Sequence, residues 1–241
     1  MNPIGPETPA QSLTQESPPS FKDRLRDHAH AVLDPVTTVL TRLGVGPDIL
    51  TVAGLLVSLV AALVFFEGYF RLGALLVALS GVCDILDGEL ARRSGRRSRF
   101  GAFLDSTLDR LSDGLVLTGI AGFYLVHLAE LVLDPSMAVA EITRGLEPRT
   151  WAVVSLTAVL AMVGSFMVSY TRARAEGLGL ECRVGWFERP ERMVLLIVAA
   201  LFGVGPVMSA ALVLLTLLSF ATAAQRVAHI WKNTRGAGRD A

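Results

Sequence analysis

The sequence predicts an all-α integral membrane protein, with six transmembrane helices and an N-terminal amphipathic helix at the membrane interface. Three observations support this fold class. Of the 241 residues, 52% are hydrophobic and only 18% are charged, the mean hydropathy is +0.51, and long apolar runs alternate with short polar connections. Such composition is typical of proteins that use the lipid bilayer as a solvent. The formal net charge is zero, and we expect no nucleic-acid partner.

The N-terminal region precedes the membrane domain. Residues 1–20 predict a disordered tail, because they contain five of the eleven prolines together with Ser, Thr and Gln and have no basic residue. Residues 21–45 alternate basic and apolar side chains, which predicts a juxtamembrane amphipathic helix interrupted at Pro35. The membrane domain is predicted over residues 46–230, followed by a cytoplasmic tail of residues 231–241.

Six apolar runs are predicted to cross the membrane, since most of them reach the roughly 17–25 residues that a spanning helix needs. The fifth run is the shortest, and it reaches that length only if Glu191, Arg192 and the bend at Gly205-Pro206 are included. The runs are Ile49–Phe66, Tyr69–Ile85, Leu108–Leu128, Trp151–Tyr170, Met193–Gly203 and Pro206–Ala224.

The distribution of charge predicts the orientation of these spans. The connections 92–99 and 171–192 are rich in arginine, and both terminal regions are basic, whereas the connections 67–71 and 129–150 are poor in net positive charge. Cytoplasmic connections carry an excess of Lys and Arg. We therefore expect a multi-pass protein of the plasma membrane, with both termini, both basic connections and the active site on the cytoplasmic side.

Two pairs of aspartates lie where membrane helices are expected to be apolar. Asp84 and Asp87 end the second run, and Asp105 and Asp109 begin the third. Helical spacing places each pair on one helix face. A carboxylate at bilayer depth costs about 2.5–3.5 kcal/mol on insertion scales, so these groups need a neutralising partner. Hard divalent cations with oxygen ligands meet this need, and the pattern predicts a metal site at a helix–helix seam.

The residues beside the acids favour chemistry at a diphosphate. Gly88 and Ala91 leave space, and Arg92 can neutralise a phosphate, which indicates metal-assisted transfer with a carboxylate as general base. Asp113 continues the helix face that carries Asp105 and Asp109, and it is expected to support the helix–helix seam rather than to bind metal. Glu89 points away from the face of Asp84 and Asp87 and is expected at the membrane interface. Two alternatives stay open: intramembrane acids also pair with arginine to stabilise packing, and they also line ion pathways.

The segment 84–109 resembles the signature of the CDP-alcohol phosphotransferase family. It reads D-x-x-D-G-x-x-A-R, eight further residues, then G-x-x-x-D-x-x-x-D, and it matches at every fixed position. The matching residues are Asp84, Asp87, Gly88, Ala91, Arg92, Gly101, Asp105 and Asp109. The resemblance implies six membrane helices, a homodimer, two Mg²⁺ or Mn²⁺ ions as cofactor, and transfer of a phosphatidyl group from CDP-diacylglycerol to an alcohol with release of CMP.

The same resemblance implies roles for individual residues. Asp84, Asp87, Asp105 and Asp109 would bind metal, and Asp109 would also be the catalytic base. The implied nucleotide contacts are Asp48, Thr51, Gly88, Ala91, Arg92 and Ser98. For Asp48 and Thr51 the alternative is that they simply start the first helix, with Asp48 as its N-cap.

Basic residues after the fourth run resemble those of the actinobacterial-type phosphatidylinositol phosphate synthases in that family. The segment S-Y-T-R-A-R-A-E at 169–176 is followed by E-R-P-E-R at 188–192, and position 172 holds Arg where that pattern commonly has Lys. The resemblance implies that the acceptor is myo-inositol 3-phosphate and that its phosphate is bound by Arg172, Arg174, Arg192 and Arg226. The alternative is that these arginines contact lipid headgroups on the cytoplasmic side.

Two rival functions remain open at this point. The same chemistry with glycerol 3-phosphate as the acceptor would make the protein a phosphatidylglycerophosphate synthase. A divalent-cation transporter would also explain intramembrane acids, and it would release no CMP.

Overall fold

The computed structural model describes residues 35–93, 95, 98–143 and 148–237, and the regular secondary structure in these residues is entirely α-helical. The predicted tail 1–20 and residues 21–34 of the predicted amphipathic helix lie outside the described residues. Residues 35–42 are helical and include Pro35.

Seven further helices follow this segment. They are α1 (Pro47–Phe66), α2 (Phe70–Arg93), α3 (Arg99–Leu133), α4 (Pro135–Thr143), α5 (Pro148–Glu176), α6 (Arg189–Leu201) and α7 (Pro206–Ala237). The six predicted runs correspond to α1, α2, α3, α5, α6 and α7, and the short α4 lies in the connection between the third and fourth runs. Helix α7 continues to Ala237, past the boundary predicted at residue 230.

Within the described part of the chain, four helices are long and apolar enough to cross a membrane. They are Pro47–Phe66, Arg99–Leu133, Arg149–Glu176 and Pro206–Arg235. Helix α2 has 24 residues but includes the acids of the first aspartate pair, and α6 has only 13 residues. The all-helical, multi-pass prediction is therefore confirmed, while length and apolar composition support four spans rather than six.

Helix α1 begins at Pro47, with Gly46 as its N-cap, so the alternative that placed Asp48 at the N-cap is wrong by two residues. Proline suits the first helical position, because its missing N–H would have no partner there in any case. Asp48 lies in the first turn, where a negative charge interacts favourably with the helix dipole.

The turn between α2 and α3 brings the two aspartate pairs together. Gly95 adopts φ +64° in this turn, a left-handed conformation that glycine adopts without steric cost. Ser98 is the N-cap of α3, and its Oγ accepts a hydrogen bond of 2.8 Å from the Gly101 N–H. In the described chain, α2 and α3 both pack against α1 rather than along each other, so the aspartate pairs meet at the ends of the two helices and not along a continuous α2–α3 seam.

The helices pack in a bundle in which α1 contacts α2 and α3, α5 contacts α3 and α7, and α6 contacts α2 and α7. Gly119 lets α3 approach α1 closely, because a Cβ at this position would clash with the Ala62 carbonyl oxygen. Phe65, Phe70 and Tyr124 belong to an aromatic cluster in the core. Because Phe70 precedes Asp84 by fourteen residues on α2, this cluster lies about 21 Å from the aspartates along the helix.

Candidate functional site

A cavity of about 310 Å³ lies between the start of α1, the end of α2 and the start of α3. Its lining contains all six residues that are predicted to contact the nucleotide, together with two of the four aspartates. The lining residues are Pro47, Asp48, Thr51, Asp87, Gly88, Ala91, Arg92, Ser98, Gly101, Ala102 and Asp105. Segments from three helices thus meet around one space at the same end of the bundle.

Two glycines shape this cavity in different ways. A Cβ added at Gly88 would meet no atom within 4 Å, so glycine at this position leaves room in the cavity. A Cβ added at Gly101 would lie 3.0 Å from Ser98 Oγ and 3.3 Å from Asp48 Oδ1. Gly101 therefore lets the start of α3 come close to the start of α1.

Asp84, Asp87, Asp105 and Asp109 together are called the aspartate site below. Two of them face the cavity without a cationic partner. Asp87 is 6% exposed, and its Oδ2 accepts a hydrogen bond of 2.8 Å from the Thr51 hydroxyl. Asp105 forms no hydrogen bond or ion pair with any other described residue. The cavity therefore presents two carboxylates whose charge is not balanced within the described chain.

The other two aspartates bind an arginine to which the sequence assigned no role. Arg189 Nη1 lies 2.5 Å from Asp84 Oδ2 and 2.9 Å from Asp109 Oδ1, and Arg189 Nε lies 3.3 Å from Asp113 Oδ1. Arg189 is the first residue of α6, which packs against α2. The Asp–Arg pairing that remained open as an alternative is thus present at Asp84 and Asp109.

The aspartate site fits a divalent cation in its chemistry. Four carboxylates on two consecutive helices supply the hard oxygen donors that Mg²⁺ and Mn²⁺ prefer. In the described residues, however, no three His, Cys, Asp or Glu side chains are gathered into a ligand set. The reason is visible in the contacts: two of the carboxylates face the cavity, and the other two bind the guanidinium of Arg189.

Arg92 lines the cavity, and its guanidinium is bound to Glu89. The distance from Arg92 Nη2 to Glu89 Oε2 is 2.6 Å, and Arg93 Nε lies 2.9 Å from Glu89 Oε1. Glu89 is only 9% exposed, so it packs within the protein, and its expected location at the membrane interface stays a prediction. Two arginines, three and four residues further along α2, pair with its carboxylate and contribute to its burial.

Arg172 and Arg226 converge on Glu188, and these three residues are called the arginine site below. Arg226 is 2% exposed. It donates to Glu188 Oε1 at 2.9 Å and to two main-chain carbonyls, at 2.8 and 2.6 Å. Arg172 Nη1 lies 3.7 Å from the same Glu188 oxygen, and Arg172 Nε lies 2.9 Å from Glu176 Oε1. Two of the four predicted acceptor-binding arginines therefore already surround one oxyanion.

The remaining two arginines have different surroundings. Arg192 is 4% exposed, and its Nη2 donates to Asp113 Oδ2 at 3.0 Å. Its Nε and Nη1 have no hydrogen-bond partner among the described residues, and it lines a small internal cavity of about 20 Å³. Arg174 is exposed and forms no ion pair in the described chain. Arg192 is thus linked to the aspartate site, since Asp113 also binds Arg189.

Sequence reasoning missed the roles of Glu188 and Arg189, which are adjacent at the start of α6. A local signal for them exists. Glu188 is the N-cap of α6, and Pro190 marks the first turn, so both charges project from a helix start rather than from an open loop. Helix α5 ends in basic residues, which predicts that its end lies on the cytoplasmic side, as the aspartates do. The start of α6, the next helix, is then expected on that side as well.

Comparison with known proteins places the chain among lipid-modifying enzymes. The family described as CDP-alcohol phosphatidyltransferase matches residues 45–228. An archaetidylinositol phosphate synthase from Methanothermobacter thermautotrophicus is 36% identical over 219 residues, which cover 90% of this chain and 97% of that protein.

Solved structures give the same result. A crystal structure of the Mycobacterium tuberculosis phosphatidylinositol phosphate synthase with CDP-DAG bound is similar with a TM-score of 0.68 and 32% identity, covering 82% of this chain and 92% of that one. A structure of the same enzyme in complex with manganese and citrate is similar with a TM-score of 0.66 and 32% identity, covering 82% and 88%.

Proposed function

We propose that this chain, which belongs to the CDP-alcohol phosphatidyltransferase family, transfers the phosphatidyl group of CDP-diacylglycerol to a hydroxyl of myo-inositol 3-phosphate. The products are phosphatidylinositol phosphate and CMP. The observation that carries this proposal is the single cavity at which the family signature on α2 and α3 meets the start of α1. The archaeal relative is named for archaetidylinositol phosphate and the mycobacterial enzyme for phosphatidylinositol phosphate. The inositol phosphate headgroup that the two names share supports inositol phosphate as the acceptor.

The aspartate site is the proposed metal site, with Asp84, Asp87, Asp105 and Asp109 as ligands of two Mg²⁺ or Mn²⁺ ions. Bound cations would neutralise the negative charge of the diphosphate and of the leaving CMP. The mycobacterial structure with manganese supports this choice of metal. Thr51 would orient Asp87 through the hydrogen bond that it already donates, in the manner of residues that position metal ligands from behind.

Asp109 is the proposed catalytic base. It lies one helical turn from Asp105, which lines the cavity, and on the same face of α3. Its carboxylate would take the proton of the acceptor hydroxyl, and the hydroxyl oxygen would form a bond to the lipid-linked phosphorus. The phosphorus–oxygen bond of the diphosphate bridge would break, and CMP would leave with the bridging oxygen.

The nucleotide is proposed to bind in the cavity between α1, α2 and α3, beside Asp87 and Asp105. Gly88 leaves space for it, and Ala91, Asp48, Thr51 and Ser98 also line the cavity. Arg92 would release Glu89 and bind the diphosphate instead. The Arg92 side chain is 45% exposed and lines the cavity. A guanidinium binds phosphate oxygens in a bidentate manner, which fixes orientation as well as charge.

The acceptor phosphate is proposed to bind Arg172, Arg174, Arg192 and Arg226. The arginine site supports this assignment, because Arg172 and Arg226 both approach the same carboxylate oxygen of Glu188. Arg174 is exposed nearby on the same helix. Arg192 retains two unpartnered nitrogens and would connect the acceptor to the aspartate site through Asp113.

The proposed topology has six spans, with both termini and the active site on the cytoplasmic side of the plasma membrane, and the active form is proposed to be a homodimer. Helix α2 supports the larger number of spans, because its 24 residues extend about 36 Å. Several of its polar groups are buried in helix contacts rather than exposed to lipid. Helix α6 is shorter and packs between α2 and α7.

The test is an assay of CMP release by the purified protein with CDP-diacylglycerol, Mg²⁺ or Mn²⁺ and a panel of alcohols. We expect CMP with myo-inositol 3-phosphate and much less with glycerol 3-phosphate or free inositol. CMP only with glycerol 3-phosphate would make the protein a phosphatidylglycerophosphate synthase. Metal uptake into vesicles without any CMP release would identify a transporter instead.

A further inference from the structure

Two adjacent residues place opposite charges in the two halves of the proposed active site. The guanidinium of Arg189 contacts Asp84 at 2.5 Å and Asp109 at 2.9 Å. The carboxylate of Glu188 contacts Arg226 at 2.9 Å and lies 3.7 Å from Arg172. Each side chain therefore has the sign of charge that its site is proposed to bind from outside: a cation among the aspartates, and an anion among the arginines.

The Arg189 contacts are shielded from water. The side chains of Arg189, Asp84 and Asp109 are only 20%, 19% and 17% exposed. Breaking a pair that is removed from water leaves an uncompensated charge, which is strongly unfavourable. Arg189 is therefore expected to leave the two carboxylates only when another cation takes its place, and a divalent cation bound by both would be in direct competition with it.

The Glu188 contacts are more open on one side. The Glu188 and Arg172 side chains are each 44% exposed, whereas Arg226 is 3% exposed. Glu188 is the N-cap of α6, but its side chain forms no capping hydrogen bond. Its carboxylate is thus bound to the two arginines rather than to its own helix, and an incoming phosphate can displace it without uncapping α6.

The two side chains are mechanically linked, because they are consecutive at the junction of the 177–188 connection with α6. Consecutive Cα atoms are about 3.8 Å apart across a trans peptide, and Pro190 restricts the backbone immediately after them. A shift of the junction that frees Arg189 from the aspartates must also move the backbone that carries Glu188.

We propose that Glu188 and Arg189 are built-in counter-ions: Glu188 occupies the acceptor-phosphate site, and Arg189 occupies the metal site. Through these two residues, binding of a ligand at one site is coupled to binding at the other. A divalent cation at Asp84 and Asp109 displaces Arg189 and loosens Glu188, while an oxyanion at Arg172 and Arg226 displaces Glu188 and loosens Arg189. This inference rests on the proposed function for the identity of the two ligands. Because coupling between sites is reciprocal, each ligand raises the affinity for the other by the same factor.

The test measures binding rather than turnover. Mn²⁺ binding to the purified full-length protein is measured by calorimetry or by electron paramagnetic resonance, with and without sulfate as a tetrahedral dianion that does not precipitate Mn²⁺. In the wild type we expect sulfate to raise the affinity for Mn²⁺ by about fivefold or more, the lower end of typical coupling between sites. No effect of sulfate would overturn the proposal.

Two variants separate this coupling from direct contact between the two ligands. Arg189→Gln removes the competing cation, so it should bind Mn²⁺ more tightly than the wild type in the absence of sulfate. Glu188→Gln removes the competing anion and should bind sulfate more tightly in the absence of Mn²⁺. Both should lose the coupling. Glu188→Gln is the variant that should disturb the fold less, because the Glu188 side chain is half-exposed. Coupling that persists unchanged in this variant would overturn the proposal.

Matched controls come from the same connection. Glu181→Gln and Arg183→Gln change exposed charges before α6, and both should retain wild-type coupling. The result is independent of catalysis. If the wild type releases CMP with inositol phosphate but shows no coupling, only the counter-ion inference fails. If coupling is present and no alcohol elicits CMP, the proposed function fails.

Discussion

The aspartate site and the arginine site lie at the same end of the helical bundle, but they come from very different parts of the chain. The four aspartates lie within 26 residues on two consecutive helices. The arginine site joins the end of α5, the residue before α6 and the late part of α7. One site is therefore set by local helical spacing, and the other depends on packing between distant helices.

The two sites also differ in how firmly their charges are held. In the aspartate site, Asp84 and Asp109 are largely shielded from water and bind one guanidinium. In the arginine site, Arg226 is buried and bound to main-chain carbonyls, while Arg172 is 44% exposed. The aspartate charges proposed to act in catalysis are therefore largely shielded from water, whereas the charges proposed to bind the acceptor combine the buried Arg226 with the half-exposed Arg172.

The largest expected effect is in the aspartate site. Asp109→Asn should lower kcat by about 10²–10⁴-fold, the usual contribution of a general base, while CDP-lipid still binds. Single-turnover CMP release and calorimetric binding of the CDP-lipid measure the two effects separately. Asp134→Asn, at an exposed position between α3 and α4, is the matched control and should be unchanged. An active Asp109→Asn enzyme would show that the base is another group.

The next largest effect is expected at Arg226, the buried cation of the arginine site. Arg226→Gln removes a buried charge-assisted partner, a loss of at least about 2 kcal/mol, so KM for inositol phosphate should rise by about 30-fold or more. KM for CDP-diacylglycerol should stay near the wild-type value. The melting temperature should fall as well, because two carbonyls lose their donor. Equal increases in both KM values would assign Arg226 to structure alone.

A smaller effect is expected behind the aspartate site. Thr51→Val keeps the shape of the side chain and removes the hydroxyl that binds Asp87. The loss of a group that orients a metal ligand should weaken Mn²⁺ binding by about tenfold, as measured by calorimetry. Thr107→Val, at an exposed position of α3, should bind Mn²⁺ like the wild type. Unchanged Mn²⁺ affinity in Thr51→Val would remove Asp87 from the ligand set.

The smallest effect is expected at Arg172, the half-exposed cation of the arginine site, and it should distinguish this residue from the buried Arg226. Arg172→Gln loses an exposed ion pair, which is worth at most about 1 kcal/mol, so KM for inositol phosphate should rise by about fivefold or less, with no change in melting temperature. Steady-state kinetics and a thermal melt check both points. A change as large as that of Arg226→Gln would contradict the difference in burial between the two residues.

Much of the aspartate site could be predicted because its signals are local. Helical spacing alone pairs Asp84 with Asp87 and Asp105 with Asp109, and a single turn at Gly95 brings the pairs together. The predicted nucleotide contacts all line one cavity. Their individual roles stay predictions, since the geometry assembles them without a ligand.

The rest could not be predicted because it depends on which helix packs against which. The contact of Arg189 with Asp84 joins residues 105 positions apart, and no local pattern specifies it. The contact of Arg192 with Asp113 likewise joins residues 79 positions apart. The number of spans is hard to predict for a related reason: the acids of the family signature make α2 less apolar.

Helix α3 links the chemistry to the thickness of the membrane. It has 35 residues, and the stretch from Asp109 to Leu133 is about 36 Å long, close to the hydrocarbon thickness of about 30 Å. With that stretch across the hydrocarbon, Asp109 lies at the depth of the lipid diphosphates, and the preceding turns rise through the headgroup layer. If Asp109 is the base, the bilayer would set the depth at which the lipid-linked phosphorus meets it, and we expect turnover to depend on membrane thickness.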